Sequence, residues 1–169
     1  MNTSIRPQAT TPVNQDSPDL WVFPPILPLG GLVLGLILEH FFPLAQRVSG
    51  LPEAVRVVLA LALLVTGAAT FIGSHVALHR AKTAVSPGQP TWALSESWPY
   101  SWTRNPMYLG GDLIYLGLAF ACREYWWLLL FPIVQALCHY GVVLKEEEYL
   151  GKKFGACYLA YQTRVRRWF

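Results

Sequence analysis

The sequence predicts an all-α integral membrane bundle of about four transmembrane helices, completed by a cytoplasmic C-terminal helical segment. Three observations carry that expectation. Hydrophobic residues fill 53% of the 169 positions and charged residues only 14%, with a mean hydropathy of +0.33. A soluble domain carries about 25% charged residues, so the charges here are too few to cover a water-facing surface. Four apolar runs follow one another along the chain, and the basic residues are divided unevenly among the connections between them.

The first twenty residues are polar, rich in Thr, Pro, Asn and Asp, and lack the apolar core of a cleavable signal peptide. They read as a disordered tail preceding a single domain over residues 21–169. The first run spans about Trp21–Leu44 and the second about Val55–Leu78. Each meets the roughly 20 residues needed to cross a bilayer. Pro24, Pro25 and Pro28 suit a first helical turn, and Gly31 and Gly35 have the small-xxx-small spacing that lets helices approach, including a second copy of the chain in a homo-oligomer. The third run, Tyr108–Cys122, is shorter. The fourth, Trp126–Leu144, follows after only Arg123-Glu124-Tyr125, which predicts a tight helical hairpin with Tyr125, Trp126 and Trp127 at the membrane interface. Pro132 is expected to bend the fourth helix.

With four spans, the N-terminal tail, the connection from His79 to Met107 and the C-terminal tail share one side. Ten of the thirteen basic residues fall there: Arg6, Arg80, Lys82, Arg104, Lys145, Lys152, Lys153, Arg164, Arg166 and Arg167. The other side has Arg47, Arg56 and Arg123. The positive-inside rule then orients a multi-pass protein of the plasma (inner) membrane with both termini in the cytoplasm. Beyond Leu144, Glu146 to about Phe154 reads as a helix stopped by Gly155. Tyr158, Tyr161, Val165, Trp168 and Phe169, among Arg164, Arg166 and Arg167, read as an amphipathic piece lying on anionic membrane lipids. No basic block interleaved with stacking aromatics is present, which argues against nucleic acid as a partner. Cys122, Cys138 and Cys157 have no metal-ligand spacing.

Polar groups at membrane depth are costly and usually have a reason. Glu39, His40, His75 and His79 sit near span ends, where water reaches them. His75 and His79 share a helical face at metal-ligand spacing but have no evident further ligand, so no metal site is expected. Asp112 lies one turn inside the third span and should face protein. The densest constellation is Tyr100-Ser-Trp-Thr-Arg104-Asn105-Pro106-Met107-Tyr108-Leu109-Gly110 together with Glu146-Glu147-Glu148. Pro106 suits a first helical position, leaving free N–H groups at a helix start for polar or anionic ligand groups. The hairpin returns the acidic run towards Arg104. Physical chemistry alone names no reaction here.

At these residues the sequence resembles the isoprenylcysteine carboxyl methyltransferases and the related membrane phospholipid methyltransferases. Their pattern is an Arg-His-Pro-x-Tyr-x-Gly turn, a transmembrane hairpin, a Glu-Glu pair, then Leu, Phe-Gly-x-x-Tyr-x-x-Tyr and a Val-Arg-like ending. This chain has Arg104-Asn105-Pro106-Met107-Tyr108-Leu109-Gly110, Glu146-Glu147, Leu150, Phe154-Gly155, Tyr158, Tyr161 and Val165-Arg166, in order, over residues 80–169. The resemblance implies a cytosol-facing pocket for S-adenosylmethionine, capped by the C-terminal segment, and a membrane-side tunnel for a lipid or small hydrophobic acceptor. By position, Trp92, Ala93, Leu94, Ser95, Tyr100, Asn105, Pro106, Met107, Tyr108 and Glu146 would bind the cofactor.

Two positions depart from the pattern. Asn105 stands where the family has histidine, and Val142 stands where the carboxyl methyltransferases carry an arginine that would pair an acceptor carboxylate. Lys145 or Arg104 could take over that pairing. Methyl transfer from a sulfonium is an in-line displacement needing alignment more than acid–base help. A base is required only for a protonated acceptor, and Glu147 and His139, with Arg104 beside them, are the candidates for catalysis. The competing readings are a sterol-reductase-like NADPH enzyme, which resembles the family in a similar turn before a C-terminal helix, and a membrane scaffold without activity.

Overall fold

A computed structural model describes residues 4–5, 17–44, 50–83 and 90–168. Most of the expected tail, Arg6, Arg47, the stretch 84–89 and Phe169 lie outside the described residues. The elements run in the order β1 (Ser4–Ile5), α1 (Ile26–Phe41), α2 (Glu53–Arg80), β2 (Leu94–Ser95), α3 (Pro106–Cys122), α4 (Tyr125–Cys138), a π-turn (His139–Val143), α5 (Leu144–Phe154) and α6 (Ala156–Arg164). The two short strands pair antiparallel, Ser4 with Ser95 and Ile5 with Leu94, so part of the expected tail is tied to the body of the protein.

Among the described residues, two continuous helices are long and apolar enough to cross a membrane, Glu53–Arg80 and Tyr125–Phe154. α1 and α3 are apolar but shorter, with 16 and 17 residues. Only 17% of the apolar window of α2 is buried inside the protein, which is the opposite of a soluble protein's core helix. Leu61, Val65 and Ile72 on α2, Val33 and Ile37 on α1, and Leu129 and Ile133 on α4 all face outwards. An apolar exterior of this extent matches a lipid surroundings. Hydroxyls on α2 are satisfied within the helix: Thr66, Thr70 and Ser74 donate to the carbonyls of Ala62, Thr66 and Thr70.

Glycine sets the helix spacing. α2 packs on α3 where Gly67 meets Gly110; a Cβ on Gly110 would lie 2.8 Å from the Phe71 backbone nitrogen and 2.9 Å from the Gly67 carbonyl oxygen. Backbone cannot yield as a side chain can, so Gly110→Ala is expected to cost about 1–3 kcal/mol. Gly111 has open space around it, and Gly111→Ala should leave stability unchanged or slightly raised. Thermal unfolding in detergent, with the two variants run side by side, checks both. Gly31 and Gly35 pack within the chain, against Val134, Tyr115 and Trp127, so both are occupied inside one copy rather than offered to a second.

α3 ends at Arg123 in the left-handed conformation, and α4 starts two residues later. The expected hairpin is therefore present, tightened by one residue. The Arg56 guanidinium donates to the Phe120 and Ala121 carbonyls at the end of α3, satisfying acceptors that the helix leaves open. The Trp127 indole donates to the Leu32 carbonyl, and the Trp126 indole to that of Phe42. Pro132 lies inside α4 without ending it.

Past the π-turn the chain differs from expectation. Tyr158, Tyr161 and Val165 pack inwards with Leu94 and Phe154 instead of lying on lipid. The apolar side of α6 is covered by protein, because Gly155, at φ 52°, breaks the helix and turns α6 back over β2.

Candidate active site

The Arg104–Gly110 turn and the acidic run of α5 do meet, and a third strand of chain joins them. Thr103 forms a parallel bridge with Arg166, and the Arg104 amide donates to the Arg166 carbonyl at 2.9 Å. The Thr103 hydroxyl, fully buried, and the Asn105 amide both donate to the Arg167 carbonyl, at 2.9 and 3.2 Å. The Tyr161 hydroxyl donates to the Tyr100 carbonyl at 2.6 Å. The C-terminal segment is thereby zipped onto the turn preceding α3.

Glu147 is the centre of that clasp. Its carboxylate accepts two hydrogen bonds from the Arg167 guanidinium, at 3.0 and 2.9 Å. It also accepts one from Asn105 at 3.3 Å and lies 3.5 Å from the Arg104 guanidinium. Bidentate Arg–carboxylate geometry combines strength with directionality. The Glu147 hydrogen bonds hold the Arg167 guanidinium above its ordinary pKa. Asn105, standing where the resemblance has histidine, thus uses its side chain to bind Glu147 and the C-terminal backbone rather than to cap α3.

Glu146, the neighbouring carboxylate, is placed differently. Among the described residues no basic side chain pairs with it. The buried Tyr108 hydroxyl lies beside it, within electrostatic reach but short of hydrogen-bond geometry. Tyr100 completes the group: burial first, then Tyr161 and Glu146, hold its phenol above the ordinary value. Tyr100, Tyr108 and Glu146 therefore converge, while Pro106 occupies the first turn of α3 and leaves the Met107 and Tyr108 amides without helical acceptors.

The segment 92–95 borders this region. Thr83 Oγ1 accepts from the amides of Trp92 and Ala93, at 2.8 and 3.2 Å, and Tyr149 accepts from the Thr91 amide. Ala93, Leu94 and Ser95 are buried; Trp92 is exposed beneath the Lys153 ammonium. Of the candidates for catalysis, Arg104 and Glu147 stand together. His139 opens the π-turn with its ring against Tyr140 and Trp168.

Sequence reasoning missed Thr103, Thr83 and the specific task of Arg167. It read the terminal arginines as a membrane anchor, whereas Arg164 pairs with Glu96 and Arg167 with Glu147. The available signal was an arginine one residue past the Val-Arg ending, but nothing local ties it to a partner twenty residues earlier.

The residues fit a cofactor that is cationic at one end and rich in hydrogen-bonding groups. A carboxylate with no basic partner among the described residues, a tyrosine hydroxyl without a hydrogen-bond partner and open amides at a helix start lie at this end of α3 and α5. Compared with family models, residues 55–157 match the phospholipid methyltransferase model. Comparisons with curated proteins and with solved structures find no match.

Proposed function

The chain belongs to the phospholipid methyltransferase family, and from that premise we propose that it is a multi-pass membrane enzyme transferring a methyl group from S-adenosylmethionine to a lipophilic acceptor. In this reading all four apolar helices cross the membrane and both termini are cytoplasmic. The distribution of basic residues supports that orientation.

The observation that carries the reading is the contrast between two adjacent carboxylates. Glu147 is satisfied by Arg167, Arg104 and Asn105, and Glu146 is left for a ligand. Glu146 would hold the cofactor's ammonium or ribose hydroxyls by charge-assisted hydrogen bonds. Tyr100, Tyr108 and the Asn105–Met107 turn would shape the rest of the pocket, with segment 92–95 as one wall. Bound there, the cofactor would supply an activated methyl group to the acceptor's lone pair, with the carbon–sulfur bonding electrons leaving on sulfur. The protein's part is to align the acceptor and exclude water. Glu147 and Arg104 serve as positioning residues that hold the C-terminal segment over the pocket. Val142 is apolar and fully buried, so the position where the carboxyl methyltransferases have an arginine supplies no cation, and the Arg104 guanidinium lies against Glu147. That favours an acceptor other than a prenylcysteine carboxylate.

Isothermal titration of the purified protein with S-adenosylhomocysteine tests the reading. Saturable binding, undisturbed by NADPH, is expected. A folded protein that binds NADPH instead, or neither ligand, overturns it. Label appearing in lipid extracts only when protein and labelled cofactor are both present rules out the scaffold.

A further inference from the structure

α2 ends in a turn that fixes the residue after it. The Thr83 amide donates to the Leu78 carbonyl at 3.2 Å and the Lys82 amide to the His79 carbonyl at 3.1 Å, the pair of bonds that closes a helix through a left-handed residue. That residue is Lys82, at φ 54°, a conformation that favours glycine. A non-glycine residue keeps it only where the surroundings hold it there. The turn carries Thr83 into the protein, 8% exposed. Its side-chain oxygen then takes the Trp92 and Ala93 amides, at 2.8 and 3.2 Å.

Two more elements reach the same stretch. Tyr149 lies on α5 one turn past Glu146, and its hydroxyl oxygen accepts from the Thr91 amide at 3.1 Å. The Lys153 ammonium donates to that same oxygen at 3.0 Å. The Leu94 side chain packs with Phe154, Tyr158 and Tyr161. Three successive amides, those of Thr91, Trp92 and Ala93, therefore end on side-chain oxygens instead of on a helix or sheet partner. Irregular backbone whose amides are satisfied in this way takes its shape from the side chains that accept them.

We propose that Thr83 and Tyr149 are positioning residues that together clamp segment 92–95 as a preformed wall of the cofactor pocket, Thr83 against the end of α2 and Tyr149 in register with Glu146. This rests on the methyltransferase reading. With their N–H groups turned to Thr83, Trp92 and Ala93 have only carbonyl oxygens left for a ligand. Their backbone therefore takes hydroxyl or amino groups of the cofactor and donates nothing to it. Because Tyr149 and Glu146 share one helix, the wall and the open carboxylate keep a fixed separation before any ligand arrives. A site ordered in advance does not lose affinity to ordering. Released from either anchor, the segment populates other shapes, and the apparent affinity falls with the fraction that remains competent.

The test uses the full-length protein in detergent and needs no acceptor. S-adenosylhomocysteine affinity is measured by titration for wild type, Thr83→Val, Thr83→Ser and Tyr149→Phe. Amide hydrogen exchange over residues 90–96 is followed on the same preparations, with and without ligand. Thr83→Val keeps the branched shape and removes the acceptor, and it should weaken binding about tenfold. Exchange at the Trp92 and Ala93 amides should quicken in that variant, and saturating ligand should restore part of the protection. Thr83→Ser keeps the oxygen and should bind within about threefold of wild type. Tyr149→Phe should weaken binding by a smaller factor and quicken exchange at the Thr91 amide, and it keeps the clamp open to refutation should Thr83→Val not fold. Wild-type affinity in folded Thr83→Val or in Tyr149→Phe overturns the clamp, as does a Thr83→Ser protein that binds as weakly as Thr83→Val. Absence of cofactor binding by wild type overturns the methyltransferase reading instead.

Discussion

Glu147→Ala is expected to lower stability by about 3 kcal/mol, the lower end of the cost of removing one partner from a buried ion pair. Two guanidiniums lose their counter-charge together. Arg104 is 11% exposed at its side chain and cannot turn to water, while Arg167 is 35% exposed and partly can, which keeps the figure at the low end. Asn105 loses an acceptor as well. The loss should be local before it is global: the Arg167 carbonyl still accepts from Thr103 and Asn105, but nothing fixes the Arg167 side chain. Limited proteolysis should therefore cut the segment after Gly155 faster than in wild type, and the thermal midpoint should fall. Pairing the substitution with Arg167→Ala should be less damaging than the sum of the two, with a coupling of about 1–3 kcal/mol. Strict additivity would mean that the clasp contributes nothing.

Glu146→Ala, one residue earlier, is expected to behave in the opposite way. It removes no ion pair, so the thermal midpoint should stay close to wild type. It should weaken S-adenosylhomocysteine binding by roughly 10- to 100-fold, the equivalent of the 1.5–3 kcal/mol of a hydrogen bond to a charged group. Titration and thermal unfolding on the same preparation decide the matter. A variant that binds like wild type removes Glu146 from the site, and one that unfolds while Glu147→Ala does not would exchange the roles assigned to the two carboxylates.

Much of this arrangement was legible in the sequence. The apolar runs marked α2 and α3 to within two residues, and overran α1 at its start and α4 at its end by five and six, because lipid tolerates only long, internally bonded apolar segments. Gly155 marked the end of α5, since a positive φ there suits glycine. The Arg104–Gly110 turn and the Glu146–Glu147 pair were recognisable as parts of one constellation. The tasks within it were not. Adjacent glutamates look alike in a sequence, and what separates them is the direction each side chain takes from the helix.

That direction depends on the π-turn at His139–Val143, where one extra residue per turn rotates everything that follows relative to α4. No local signal announces it. The Gly141 carbonyl accepts the Trp21 amide from outside the helix, and the Trp21 ring lies where a Gly141 side chain would be. The chain by itself thus determined a helical membrane protein with its polar groups gathered at the ends of two apolar helices, because the cost of dehydrating charge acts on composition and local pattern. Only the tertiary structure decided which carboxylate is closed by arginines and which stays open, because that choice is made by contacts between residues 20 to 120 positions apart, and helical periodicity does not encode them.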